Sequence, residues 1–363
     1  MEELLTESYI KKMIKLPPGN AVLDGIHQTK QMLFFRGQSC SHGKSDLSAS
    51  LYRNSKAEES LIHEYITRFS KEFLAMRNNG ERLAQMQHNG LDTRLLDVTS
   101  NALVALYFAV ADPENTDDGI VWTFSTNMIG SGKNDGSREE QCKSQYLQLK
   151  YYDSDLLEVL STLCTLKESF KKLLWKDIKE FKKTLGISNN HKMQSAVNEY
   201  FKSLSNGWGT ASGNDCIKQH LVSDSGLSEK EAEALIKAHR ELNESPAARE
   251  LYQKIGNDIG SFDKIINFTD LETPFVFDPP VSNERIRAQS GYFIFEPFFD
   301  AKNAEEVGEK MKEALKEVCV SVPIKSSDKK QLRNELDQLY AINRQTMFPD
   351  VFAGAQYIND CER

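Results

Sequence analysis

Two stretches of the chain set arginine, histidine, carboxylate and amide groups against apolar sequence, where a polar group without a partner costs free energy. The first is Phe34-Phe35-Arg36-Gly37-Gln38. A strand of large apolar residues that ends in Arg-Gly-Gln holds a guanidinium at the rim of the core, and the planar fork of arginine suits phosphate or carboxylate. Gly37 lets another backbone or a ligand come close. The second runs from Gln87 to Ala109. Its latter half is an apolar helix that must be buried, so Gln87, His88, Thr93, Arg94, Asp97, Thr99 and Asn101 are held near the core and need partners. Asp97 is expected to pair with Arg94 or Arg36. His88 titrates near neutrality, which suits a general base as well as a hydrogen-bonded helix end. Tyr107 is either core or ligand contact. Gln289-Ser290-Gly291 either presents an amide or makes a turn. Arg36 has an architectural reading too, as the partner of a buried acid.

The elements that must position these groups follow from periodicity. Met32–Phe35, Ile120–Phe124, Pro274–Phe277, Tyr292–Phe295 and Cys319–Pro323 read as strands. Helical spacing predicts Ala57–Asn79, closed by Gly80, then Glu81–His88, and a helix through Ala111 capped by Ser100 or Asn101. From Asp155 onward it predicts Asp155–Leu166, Lys167–Leu185, Lys192–Leu204, Ser228–Ala238 and Ser245–Gly256, with a capping box at Ser228-Glu229-Lys230-Glu231. Helices over Ala304–Glu317 and Lys329–Tyr340 follow. Strands on both sides of a helical stretch predict one α+β core, a small mixed sheet with surrounding helices, over 1–125 and 273–363 and interrupted by a helical insertion over 126–272. The insertion opens on a Gly/Ser/Asn-rich loop, Gly130–Ser137, and carries no chemistry-bearing motif. It is a candidate dock for a protein partner.

Composition narrows the function classes. A formal net charge of −8 argues against broad nucleic-acid binding, which needs a basic face to displace counterions. No apolar run spans a membrane, and the acidic start, Met1-Glu2-Glu3, is unlike a secretory signal, so a cytoplasmic protein is expected. Cysteines at 40, 142, 164, 216, 319 and 361 form no CxxC pair, so free thiols and no metal site are expected. Gly130–Lys133 lacks the full phosphate-loop pattern.

Several ordered motifs together resemble the FRG-domain family: Phe35-Arg36-Gly37-Gln38, Ser50-Leu51-Tyr52-Arg53, and the Gln87–Ala109 stretch. Arg285–Phe293 and Thr346–Asp350 resemble it as well. Asn89, Asp92 and Val98 depart from the pattern at shape-setting positions. The resemblance implies a bacterial or phage-associated domain without one settled activity. A more distant likeness, to ADP-ribosyltransferases, implies an NAD-consuming pocket. In that reading Arg36, His88 and Glu296 are catalytic, with Glu296 directly after the Tyr292–Phe295 strand as the carboxylate. Gln38, Arg53, Gln87, Thr93, Arg94, Asp97, Asn101, Tyr107 and Gln289 bind the ligand, and Arg94–Asp97 hold Arg36 in place. NAD is the cofactor implied and a nucleotide the small-molecule partner. The alternative is a non-catalytic module that recognises a nucleotide, a nucleic-acid end or a protein.

Overall fold

Short runs of β-branched and aromatic residues become seven strands in the computed structural model, which describes residues 4–15, 31–53, 57–76, 78–112, 116–127, 147–151, 154–187, 190–204, 213–260, 262, 265–280 and 284–360. The strands are β1 (Gln31–Gln38), β2 (Leu95–Thr99), β3 (Gly119–Asn127), β4 (Leu147–Tyr151), β5 (Phe275–Asp278), β6 (Gly291–Phe295) and β7 (Cys319–Ile324). They make one mixed sheet that returns on itself in the order β1-β2-β6-β5-β4-β3, with β3 pairing back onto β1 and β7 flanking β3. The fold is therefore α+β, as expected from the alternation of strands and helices.

The ring closes through two narrow seams. β3 runs antiparallel along all of β1, from Gln31↔Asn127 to Gln38↔Ile120. Its other edge is divided: β7 takes Gly119–Phe124, and β4 takes only Thr126 and Asn127. Likewise β1 meets β2 only at Phe35↔Thr99. Strands that part after one pair leave main-chain groups for side chains to satisfy.

The helices in chain order are α1 (Leu5–Met13), α2 (Glu58–Arg68), α3 (Asn79–His88), α4 (Ala102–Ala109), α5 (Asp155–Cys164), α6 (Glu168–Thr184), α7 (His191–Ser203), α8 (Gly213–Ser223), α9 (Glu229–Asn243), α10 (Pro246–Ile259), α11 (Glu284–Ala288), α12 (Ala304–Leu315), α13 (Lys329–Tyr340), α14 (Arg344–Met347) and α15 (Val351–Asp360). Strand alternation sends side chains to different cores. Phe35 and Val121 pack with α1, α4 and α13, including Tyr9, Met13, Leu332 and Leu336. Phe34, Leu96, Val98, Phe124, Val276 and Ile294 face inward against Val307, Met311 and Leu315 of α12. Leu95, Phe275, Phe293 and Phe295 pack with α3 and the helices from α5 to α10. Those helices connect β4 to its parallel neighbour β5, so they form an enlarged crossover between adjacent strands.

Several local expectations need correction. Gly80 does not close a helix: Asn78 caps α3 by accepting from the Glu81 N–H at 2.9 Å, and Gly80 lies in its first turn against Leu157. The preceding helix ends at Arg68 and continues only as a 3₁₀ turn, Ser70–Phe73. β4 falls inside the stretch read as a helical insertion, and β2 was not read as a strand at all. Asn101, rather than Ser100, caps α4, and the Ser228–Glu231 capping box is present. The Gly130–Ser137 loop, Cys142 and Cys361 lie outside the described residues. The other four cysteines are free thiols. Among the described residues, no helix is long and apolar enough to cross a membrane, and no group of three or more His, Cys, Asp or Glu could hold a metal ion.

Candidate functional site

Strand alternation decides which groups can meet. On β1, Phe34, Arg36 and Gln38 share one face, while Phe35 and Gly37 share the other. A Cβ at Gly37 would stand 1.8 Å from the Ala105 carbonyl oxygen, so the glycine exists to let α4 lie on the strand. Gly119 on β3 is held the same way, 2.4 Å from the Ala109 oxygen. The close approach foreseen at Gly37 is therefore to backbone, and Arg36 points away from α4. Tyr107 belongs to the α4 side. It is buried there among α13 residues, where burial raises its pKa and Arg333 and Arg344 oppose that.

Three further motif residues tie the chain together on that side. The Asn101 side chain accepts from the Leu103 N–H at 3.0 Å. Its own N–H donates to Thr99 Oγ1 at 3.0 Å, and Thr99 Oγ1 donates to the Gln289 carbonyl at 2.7 Å. Gln289 Nε2 in turn donates to the Met347 carbonyl at 2.9 Å, which fixes the C-terminal motif to the end of β6.

Arg94 does not pair with Asp97. Arg94 lies at the bend before β2, off the strand that carries Asp97. Arg94 instead forms a two-pronged ion pair with Glu58, Nε to Oε1 at 2.7 Å and Nη2 to Oε2 at 2.6 Å. Its Nη1 donates to Tyr52 Oη and to the Glu296 carbonyl, both at 2.9 Å, and its plane lies 3.6 Å from the Phe299 ring centre. Lys171 of α6 donates to the same Glu58 oxygen at 2.9 Å. Burial alone would raise the Glu58 pKa, but Arg94 and Lys171 outweigh it and hold the carboxyl down at about 2. This is an architectural hub that binds the enlarged crossover to the sheet.

Asp97 faces outward. Its Oδ2 accepts from Gln87 Nε2 at 2.8 Å, Gln87 Oε1 accepts from Thr93 Oγ1 at 2.6 Å, and Thr93 Oγ1 accepts from the Leu95 N–H at 3.1 Å. His88 shares this surface, its pKa lowered by burial and by Arg285 and raised by Asp97.

A second polar group sits on the inward side, at the seam between β1 and β2. Arg36 is half-buried and reaches across it, Nη1 donating to the Asp97 main-chain oxygen at 2.7 Å. Its buried Nε has no hydrogen-bond partner among the described residues. Burial lowers the Arg36 pKa, Asp97 opposes this, and neighbouring Arg53 adds to it. Glu296 continues the inward alternation of Tyr292 and Ile294 just beyond β6. It is 0% exposed; Oε2 accepts from the Ala49 N–H at 3.1 Å, while Oε1 has no partner among the described residues. Burial pushes its pKa up to about 8, against the Ala49 N–H and the charges of Arg94, Arg36 and Arg53. Ser48, 1% exposed, also has an unpartnered hydroxyl. Arg53 is exposed and donates from Nη2 to the Ser48 carbonyl at 3.4 Å. Gln38, on the same face of β1, accepts from Trp122 Nε1 at 2.9 Å.

The structure thus brings Arg36, Arg53 and Glu296 together and adds Ser48 and Ala49, which no sequence pattern marked beyond their place just before Ser50-Leu51-Tyr52-Arg53. It sets His88, Gln87, Thr93 and Asp97 on the far side of β2, and Asn101, Tyr107 and Gln289 on the α4 side. A surface depression of about 420 Å³ along α13, lined by Ser327, Lys330, Gln331, Asn334, Glu335, Gln338 and Leu339, contains none of these residues.

A ring-closed mixed sheet with a half-buried arginine at one seam, beside a buried carboxyl, defines an α+β domain with a polar cluster under its first strand. Residues 31–118, which span β1, α2, α3, β2 and α4, match the FRG domain. β6, with Glu296 at its end, lies outside the matched stretch. No curated protein and no solved structure matches the chain.

Proposed function

We propose that the polar cluster at the β1–β2 seam handles a nucleotide, with Arg36 and Arg53 taking its phosphates. One observation carries this reading: the charges of Arg36 and Arg53 both act on Glu296, and three buried polar atoms of this group, Arg36 Nε, Ser48 Oγ and Glu296 Oε1, have no partner among the described residues. The nearby negative charges are spoken for. Asp97 is held by Gln87, Asp46 is held by Ser41, the His42 N–H and Lys312, and Glu296 is largely protonated at neutral pH. Exposed Arg53 and half-buried Arg36 then offer two positive charges to an anionic ligand.

Within this reading the reaction is NAD-dependent ADP-ribosyl transfer or NAD hydrolysis. Arg36 binds the phosphates or ribose, Gln38 orients the ligand, and Glu296 stabilises the positive charge that develops as nicotinamide leaves. Glu296 must be ionised for that role, so turnover rises as pH passes about 8. Tyr107 and Asn101 take no part, being engaged with α4. The test is to incubate the protein with NAD and follow nicotinamide release by chromatography. Release that disappears in Arg36→Ala supports the enzyme. The absence of both turnover and thermal stabilisation by NAD or ADP would sink the nucleotide reading altogether. A second reading, binding without turnover, is favoured by the complete burial of Glu296, whose carboxyl has no exposed surface. Stabilisation by a nucleotide with no nicotinamide release identifies it.

A further inference from the structure

Several surface lysines are met by an acid one helical turn away: Lys237 by Glu241 at 3.8 Å on α9, Lys310 by Glu306 at 3.6 Å on α12, and Lys316 by Glu313 at 2.6 Å just past it. Such pairs support a helix. The lysines of α6 are arranged otherwise. Lys172, Lys176, Lys179 and Lys183 recur at i, i+4, i+7 and i+11, and all four are exposed. At about 3.6 residues per turn, that spacing sets them within a sector of about 60° along about 16 Å of one face. Lys179 pairs with Asp300 at 3.0 Å, and Lys310 holds the same carboxylate at 2.8 Å. Lys172, Lys176 and Lys183 make no ion pair among the described residues, and the acids within this stretch, Asp177 and Glu180, pair with none of them. Like charges stacked turn on turn weaken a helix, so the row does not serve α6 itself.

The row is held in place from behind. Leu174, Trp175, Ile178 and Phe181 bury the opposite face of α6, and Lys171 ties the helix to Glu58. Beside the row, Leu173 is an apolar side chain left 48% exposed. We propose that this face docks an acidic helix of a partner protein, with carboxylates at the matching i, i+4, i+7 and i+11 positions against the four lysines and an apolar residue against Leu173. Two helices lying side by side share one rise per residue, so such carboxylates meet the lysines in register. Lysine suits this contact as a compact point charge that needs no fixed fork geometry. Nucleic acid fits less well. The helix has no arginine to read base edges, its aromatic residues lie off the lysine sector, and the net charge of −8 opposes a polyanion as dense as a duplex. The proposal goes beyond the nucleotide reading and does not depend on it.

The experiment titrates the full chain against a labelled peptide of about 20 residues, built of alanine and leucine with glutamate at those four positions, and follows fluorescence anisotropy. Wild type is expected to bind this peptide, to bind it less as salt is raised, and to bind a version with glutamine at the four positions at least about tenfold more weakly. Lys172→Gln, Lys176→Gln and Lys183→Gln together are expected to weaken the acidic peptide about tenfold. Lys71→Gln, Lys230→Gln and Lys237→Gln together remove the same charge from exposed sites elsewhere and should change affinity by less than about twofold. Should the α6 variant fail to fold, the glutamine peptide on wild-type protein decides. Absence of binding by the acidic peptide, equal binding of the glutamine peptide, or an equal loss in both triple variants overturns the proposal. A duplex DNA of about 20 base pairs that binds more tightly than the peptide, and is lost in the α6 variant, also overturns it and assigns the row to a phosphate backbone.

Discussion

In a Glu58→Gln variant, Arg94 and Lys171 lose the charge they share while the volume of the side chain is kept. All three groups are buried, with Glu58 4%, Arg94 3% and Lys171 1% exposed, so water cannot replace the carboxylate. Two routes give the size of the effect. Removing one partner from a buried ion pair costs about 3–5 kcal/mol. Independently, a carboxyl held at about 2 in the native state against 4.5 unfolded contributes about 3 kcal/mol at neutral pH. The sign follows from the lowered pKa: the contribution is complete above about pH 4.5 and is lost as pH falls toward 2. The variant is expected to lose about 3 kcal/mol at neutral pH, a large fraction of the roughly 5–15 kcal/mol that holds a typical protein folded. Urea unfolding of wild type and variant, followed by far-UV circular dichroism at pH 7 and again in acid, measures it. The gap between them should close as the medium becomes acidic. A difference below about 1 kcal/mol at pH 7, or a gap that does not depend on pH, refutes the assignment of Glu58 as the hub.

Three further substitutions separate the faces of the sheet. Arg36→Ala removes one donor from the Asp97 carbonyl and is expected to cost about 1–3 kcal/mol in thermal denaturation; a loss beyond about 4 kcal/mol would make Arg36 an architectural clamp. Gly37→Ala drives a methyl group into the Ala105 carbonyl and should cost more than about 3 kcal/mol or prevent folding, read as soluble yield and melting temperature; a variant as stable as wild type would contradict the seating of α4 on β1. Tyr107→Phe, on the α4 side, should leave nucleotide affinity within a factor of about two, and a larger loss would place Tyr107 at the nucleotide site after all.

Much of the architecture was legible because period-2 and period-3.6 patterns survive in short elements. β6 and α13 appear nearly as read, and the Ser228–Glu231 box marks the start of α9. β2 was missed because its five residues carry Asp97 in the middle and run directly into an apolar helix. β4 was missed because Leu147-Gln148-Leu149-Lys150-Tyr151 is short and lies ahead of a long helical stretch. The site was legible in part. Arg36, Arg53 and Glu296 carry charge and stand in or beside recognisable motifs. The pairing of Arg94 depended on Glu58 and Lys171, which lie 36 residues before it and 77 after it, and no local pattern announces such partners. Asp97 lies mid-strand and faces outward, while Arg94 lies at the bend before β2 and turns to Glu58. Ser48 has only a hydroxyl to offer, and serines are common in loops for their own turn-making reasons.

The self-returning order of the strands also bears on how the protein behaves in a crowded solution. Each strand of the ring has a neighbour on both sides, through a single pair in the case of β1 and β2, and β7 is the end strand of the sheet order, with no strand beyond it among the described residues. That edge carries an exposed proline, Pro323, and is followed at once by Lys325. A proline offers no N–H to an intruding strand, and a lysine resists being covered. The end strand of the sheet is thus a short ribbon whose sequence discourages a further strand from adding to it.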